Sequence, residues 1–467
     1  MYDTPVKRTI LAALLLGVSL AAAYGYIVTN RENSHRQLID QGDAAMSRGD
    51  LATAIEAFSG AIALKGDSMI GYLKRGDAYR RRDELEAALR DLKQAAEIDP
   101  AAPRPRELLG DVNYARHRFG PAASHYEAYV ALDDSSPHVL YKLALARYRD
   151  GQGALGIAAL NKAVDLDTRF AEAYYLLALC QREAQKPAEA LASLRKAIDL
   201  APAMLQAREE RADLFRHLGR SDEALGELEV LRALDPTAAR DVDLGLAYSA
   251  AGQADRAVLT LRHAAERHPG HAYTFVALGR VWLETAQARS DRVDLGKAIE
   301  ALSHAVSPDV ADAGSEAYML YGRALLLASD LEPAERMLLQ ATQKLPVEPL
   351  AFFYLADTAE RRGHFDLARR SLIDYLALVS EEPDSRRRAQ LCTRIGDLSM
   401  READYATAIA YYERAAPSVA TEPDAVVRLA EARWRTGELE MAKTLVDRVL
   451  EKDPGHAGAR TLSRRMR

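Results

Sequence analysis

From about residue 35 onward, small, bulky apolar and polar positions return in one order roughly every 34 residues. A Gly or Ala is followed twelve residues later by an Ala, four beyond that by a bulky apolar residue, and three beyond that by another Ala, often with a Pro five further on. One copy carries the whole series in Gly76, Tyr79, Ala88, Leu92, Ala95 and Pro100. Before it stand Gly42, Ala54, Phe58 and Ala61; after it come Gly110, Ala122 and Tyr126, then Ala144, Leu160 and Ala163, then Ala178, Ala190, Leu194 and Ala197. The series continues through Ala212 and Gly245, slips by about seven residues after Gly279, resumes at Ala298, Leu302 and Ala305, and runs on through Gly322, Ala356, Gly396 and Ala430. Each copy predicts two antiparallel helices. Small residues let the two approach closely, as Gly76 against Ala88 and Ala95. The Asp99-Pro100 and Asp235-Pro236 steps end the second helix, because the residue before Pro is pushed out of the helical region.

These positions resemble the tetratricopeptide repeat, a helix-turn-helix unit of about 34 residues. The resemblance covers roughly residues 35–455 in about twelve copies. It implies an all-α solenoid in which each pair buries its apolar face against the next pair and there is no central core.

Residues 9–30 are a different material. No charge interrupts them, and Ile10 to Val28 is dominated by Leu, Ala, Ile and Val. About twenty helical residues span a hydrocarbon layer of roughly 30 Å, so this run is expected to be a transmembrane helix acting as a signal anchor. Lys7 and Arg8 make residues 1–8 a short cytoplasmic N-terminus and place the repeats outside the cytoplasm, although Arg31, His35 and Arg36 beyond the run oppose that orientation. Ala21 and Ala23 leave cleavage as a signal peptide open. Residues 456–467 then form a C-terminal capping helix with Arg460, Arg464, Arg465 and Arg467.

Composition removes several function classes. A net charge of −6 with a pI near 6.1 argues against a nucleic-acid binder. Cys180 and Cys392, the two cysteines, lie in distant copies and read as small buried apolar residues. No phosphate-cradling Gly-rich loop, His-Glu-x-x-His, Cys-x-x-Cys or Gly-x-Ser-x-Gly elbow occurs, so no cofactor, catalytic residue, metal site or small-molecule substrate is expected. His263, His268 and His271 surround the Pro269-Gly270 turn without a carboxylate or cysteine in ligand register.

In the family resembled, the first helix of each copy lines a concave groove that holds extended peptides or helices. The residue after each small marker is then expected to point into it. Those residues are Asp43, Asp77 and Asp111 in the early copies, with Glu107 nearby. They form either an acidic ladder for a basic segment or a solvated face paired with Arg80, Arg81 and Arg104. Leu145 and Leu179 follow, one turn from Tyr141 and Tyr175, with Tyr148 beyond; these serve as partner anchors or as packing between copies. Arg280 and Arg323 come next, and later Asp357, Asp397 and Glu431. Some members of the family clamp a terminal carboxylate with Lys and Asn. Ile39, Asp43, Leu73 and Asp77 stand at the corresponding sites, which argues against that role. Two insertions, Glu284 to Asp294 and Ser380 to Arg388, interrupt the period.

The resulting expectation is a non-enzymatic scaffold in a bacterial inner membrane with periplasmic repeats, binding protein partners in envelope assembly, polysaccharide export or secretion. The alternative is a cytoplasm-facing adaptor that regulates a membrane-associated enzyme.

Overall fold

The structure is a computed structural model; it describes residues 4–308, 313–379, 385–415 and 423–467. Among the described residues it is all helix, 25 helices from α1 (Thr4–Ser47) to α25 (Ala457–Arg465). They divide into two compact units, Met1–Leu218 and Gly219–Arg467. The division falls inside the sixth copy, between α11 (Leu205–His217) and α12 (Ser221–Leu234).

In the first unit the consecutive pairs are α1 with α2 (Leu51–Leu64), α3 (Met69–Arg81) with α4 (Leu85–Ile98), α5 (Pro103–Ala115) with α6 (Phe119–Val130), α7 (Pro137–Arg149) with α8 (Gly153–Leu166), and α9 (Ala171–Glu183) with α10 (Pro187–Leu200). In the second unit they are α13 (Ala238–Ala250) with α14 (Ala254–Arg267), α15 (Ala272–Arg289) with α16 (Arg292–Ala305), α17 (Ser315–Ala328) with α18 (Leu331–Ala341), α19 (Pro349–Arg362) with α20 (Phe365–Leu378), α21 (Ser385–Arg401) with α22 (Tyr405–Ala415), and α23 (Pro423–Arg435) with α24 (Leu439–Lys452). First helices also touch the first helix of the next copy, as α3 does α5 and α7 does α9, and so line one face together. Burial is local: Ala88, Leu89, Leu92 and Ala96 of α4 pack on Leu108, Leu109 and Val112 of α5. In the last copy Ala459, Leu462 and Met466 close over Val426, Ala430 and Val446.

An aromatic side chain from the second helix lies over a Gly marker in each case, whereas Leu lies over Gly at Gly76, Gly245, Gly279 and Gly322 and packs with Ala at Ala144. Phe58 covers Gly42, Tyr126 covers Gly110 and Tyr412 covers Gly396. A Cβ at Gly110 or Gly396 would sit within 2.8 Å of three ring carbons, closer than carbon atoms tolerate. Leu160, which is smaller, is fully buried in the same cluster as Ala144.

Seven residues after the marker the chain bends between helices through a positive φ. In six copies the residue is Gly49, Gly151, Gly219, Gly252, Gly363 or Gly437; in five it is Asp83, His117, Gln185, Ser329 or Ala403. The left-handed conformation costs a non-Gly residue roughly 1–2 kcal/mol. Copy eight departs from this spacing. Its positive-φ residue is Ser290, eleven after Gly279, so α15 has 18 residues where α13 has 13. Ala298 in turn lies eight after Ser290, against five from Gly49 to Ala54. The seven-residue slip is therefore four residues of extra first helix plus three before the Ala298 marker. Of the second insertion, residues 380–384 lie outside the described residues, and the rest opens α21.

α1 is 44 residues long and runs unbroken from the apolar stretch into the first copy. The expected membrane segment and the first repeat helix are one helix. Positions 13–31 are exposed, including Leu14, Leu16, Tyr24 and Ile27 at 61–71%. Burial begins at His35 and recurs at Ile39, Gly42 and Ala45, the spacing of one helix face. The helix is long and apolar enough to cross a membrane by length and composition, with mean hydropathy 1.5 in its apolar window.

Candidate functional site

The face built from first helices is crossed by a regular contact. The residue after one marker meets the residue two before the next marker, because adjacent first helices lie side by side with a small stagger. Asp43 takes Lys74 at 2.6 Å, Asp111 takes Lys142 at 2.8 Å, Asp357 takes Arg394 at 2.7 Å, and Asp397 pairs with Arg428. Arg323 stands over Tyr354 in the same relation, 5.2 Å from the ring centroid, and also donates to Gln287 at 2.9 Å. For Asp77 the residue in the facing position is Leu108, and this aspartate turns to Arg80 at 2.6 Å and Arg81 at 3.1 Å on its own helix. Glu107 pairs with Arg104 and with Lys142 at 2.8 Å; Arg280 pairs with Glu316; Glu431 takes Arg465 at 3.3 Å.

The acids at the groove positions are thus partnered, by Arg80, Arg81 and Arg104 as one sequence reading had it, and also by Lys74 and Lys142, which that reading missed. The missed bases carried a signal: Lys74, Lys142 and Arg428 each stand 31 residues after their acid. Burial alone would raise the Glu107 carboxyl, but the hydrogen bond and charge of Lys142, with Arg104, hold it below the usual carboxylate range. Tyr126 adds its hydroxyl to Asp111 at 2.7 Å, and Tyr412 does the same to Asp397 at 2.7 Å. Both phenols are pushed up, first by burial and then by the neighbouring aspartate.

The ladder breaks in copies four and five. There the corresponding positions are Leu145, Leu176 and Leu179, and Leu145 is the least buried of the three. Tyr141 is half-buried against Phe170, with ring centroids 5.1 Å apart. Tyr141, Leu145, Tyr148 and Tyr175 all pack on the cluster formed by Ala144, Leu160, Leu176 and Leu177. Each therefore presents one edge to the core and the other to the face.

Past Leu179 the face opens into a cavity of 580 Å³ lined by Tyr148, Leu179, Arg182, Glu183, Pro187, Asp213, Leu214, His217 and Leu218. Tyr148, Leu179 and Leu214 form the apolar floor. Arg182, paired with Glu210, and Glu183, which accepts from the Gly153 amide at 3.3 Å, stand on the rim. His217 donates to the Asp213 carbonyl at 2.8 Å, and Asp213 pairs with Arg216. Burial raises the Glu210 carboxyl against the pull of Arg182, and burial followed by Glu210 raises Tyr175. An apolar floor with both charge signs on its rim fits a short amphipathic segment of a protein. Leu214 and His217 could not be singled out from the markers, because they lie past the groove position on α11.

Elsewhere the chemistry is plain. His263 lies on α14, His268 follows its last residue, and His271 bonds Thr274 Oγ1 at 2.7 Å. No group of three metal-ligating side chains occurs among the described residues. Cys180 and Cys392 are buried free thiols, the first pushed up by burial to about 12.

Comparison with known proteins meets this geometry at four stretches. Models of the tetratricopeptide repeat match residues 76–116, 141–204, 176–239 and 399–466. The chain is a tetratricopeptide-repeat protein. Among curated proteins, small glutamine-rich tetratricopeptide repeat-containing protein 2 of Mycosarcoma maydis is 32% identical over 111 residues, 24% of this chain and 32% of that protein. The chain thus spans about a third of that relative's length. Solved structures include YrrB, described as a TPR protein with an unusual peptide-binding site, at 22% identity and a TM-score of 0.37 over 39% of this chain and 94% of that one. The Cut9-Hcn1 hetero-tetramer of the APC/C matches at 14% identity and a TM-score of 0.34 over 92% and 96%.

Proposed function

We propose that this tetratricopeptide-repeat protein is a non-enzymatic scaffold, anchored in a membrane by α1, that captures a segment of a protein partner on the face formed by α7, α9 and α11. The observation that carries the reading is the break in the ion-pair ladder. Where the ladder runs, groove charges are consumed between copies; at Leu145, Leu176 and Leu179 the face turns apolar and leads into the cavity floored by Tyr148 and Leu214. Aromatic and aliphatic anchors in such a hollow contribute most of a peptide's binding energy. Lys7 and Arg8 before the apolar run favour repeats outside the cytoplasm, and hence partners in envelope assembly, polysaccharide export or secretion. Arg31 and Arg36 beyond the run favour the opposite reading, a cytoplasm-facing adaptor for a membrane enzyme.

Photo-crosslinking in native membranes tests the site. A crosslinker replacing Tyr148 is expected to trap a discrete protein partner, and one replacing the exposed Leu155 on α8 is not. Equal patterns from the two positions would refute the groove. A C-terminal reporter active on one side of the membrane decides between the two orientations.

A further inference from the structure

Where the apolar stretch of α1 ends, a notch of 370 Å³ opens between α1 and the turn joining α2 to α3, lined by Arg31, Glu32, His35, Lys65, Gly66 and Asp67 and bordered by Val28. His35 is 5% exposed. Its Nε2 lies 2.8 Å from Ser68 Oγ, which already accepts from the Gly71 amide at 3.1 Å. The other ring nitrogen, Nδ1, is buried as well. Among the described residues no hydrogen-bond partner reaches that Nδ1. An unpartnered buried ring nitrogen is costly, and the residue that carries it lines the notch. Arg31 donates Nε to the Leu64 carbonyl at the end of α2, its one hydrogen bond among the described residues. Lys65 reaches Glu32 only at 3.4 Å, and Glu32 is shared with Arg36 at 3.4 Å.

We infer that this notch seats the phosphoethanolamine headgroup of a membrane lipid. Two donors, Arg31 and Lys65, are available to a phosphate. The lining is nevertheless balanced, Arg31 and Lys65 against Glu32 and Asp67, which suits a zwitterion better than a net anion. The carboxylates accept the three N–H bonds of a primary ammonium, which a choline lacks. Depth agrees: Arg31 lies three residues beyond Val28, about 4.5 Å along the helix, and the polar layer on each side of the hydrocarbon is roughly 5–7 Å thick. The inference rests on the membrane-anchored reading of α1.

The test uses the full chain purified in mild detergent, with native mass spectrometry reading retained lipid after exposure to equal phosphatidylethanolamine, phosphatidylglycerol and phosphatidylcholine. Phosphatidylethanolamine is expected to be retained over phosphatidylcholine by about tenfold, and Arg31→Ala or Lys65→Ala to remove most of that preference. Lys65 is 43% exposed, so its variant keeps the test open should Arg31→Ala disturb the end of α2. Equal retention of the three lipids, or full selectivity in both variants, overturns the inference. So does inorganic phosphate binding as tightly as water-soluble glycerophosphoethanolamine to the same protein. Carbonate extraction reads the anchor separately: a chain washed from membranes sinks the anchored reading, whereas glycerophosphoethanolamine binding decides the notch by itself.

Discussion

Gly110→Ala should weaken the protein although it replaces a poor helix former with the best one. In an exposed helix interior the change would gain about 1 kcal/mol. At this position the added Cβ would meet three ring carbons of Tyr126 within 2.8 Å. The ring has little room to retreat, since Tyr126 is 2% exposed and its hydroxyl is tied to Asp111 at 2.7 Å. Overpacking of this kind costs about 1–3 kcal/mol, and the upper part of that range leaves a net loss of about 1–2 kcal/mol. Tyr126→Leu alone also destabilises, by removing the hydroxyl bond and leaving a void. The two changes together recreate the Ala144 and Leu160 combination of the next copy, so the double variant should be more stable than the sum of the singles by about 1–3 kcal/mol. Because a solenoid does not unfold as one two-state body, the assay is amide hydrogen exchange of peptides from α5 and α6, where 1.4 kcal/mol is about tenfold in rate. Slower exchange in Gly110→Ala, or strict additivity in the double variant, would refute the close contact between Gly110 and Tyr126 as the reason for glycine there.

Three further outcomes are expected. Ala403→Gly and Gln185→Gly, at positive-φ bends, should each stabilise their copy by about 1 kcal/mol, seen as slower exchange in the flanking helices; no gain would mean that these bends are unstrained. Asp241, whose side chain is fully buried with Arg232 at 2.7 Å and Arg267 at 2.5 Å, ties α12 and α14 to α13; Asp241→Ala should cost about 2 kcal/mol, read as faster amide exchange in α12, α13 and α14, and a silent variant would show the two arginines rehydrate freely. Glu107 and Glu210 should titrate with opposite sign. Glu107 is depressed when folded, so its contribution is present above the ordinary carboxylate pKa and is lost as pH falls through the folded value; Glu107→Gln should flatten that acid loss. Glu210 is raised when folded, so its contribution is present at low pH and is lost as pH rises through the folded value; Glu210→Gln should therefore raise the melting temperature at neutral pH, and a drop would contradict the burial argument.

The fold was legible in the sequence because one packing problem is solved a dozen times, and each solution leaves Gly or Ala where two helices cross. The site was less legible for a physical reason. Asp43 and Asp111 look like free acids until the stagger between neighbouring first helices is known, and only that stagger brings Lys74 and Lys142 to them. Tyr141 and Tyr175 belong to core and face at once, which periodicity cannot separate. The bend at Ser290 was hidden because the insertion had no Gly to mark it, and the unbroken run of α1 was hidden because a change in composition looks like a change in structure.

The four residues added to α15 have a meaning beyond that copy. An array of near-identical units presents a ruler without numerals, on which an extended partner can settle one unit out of place at almost no penalty. A hairpin about 6 Å taller than its neighbours breaks that translational degeneracy, as a single raised mark lets a hand find its place on a keyboard. Should a partner lie across this copy, the step would favour the one alignment that accommodates it.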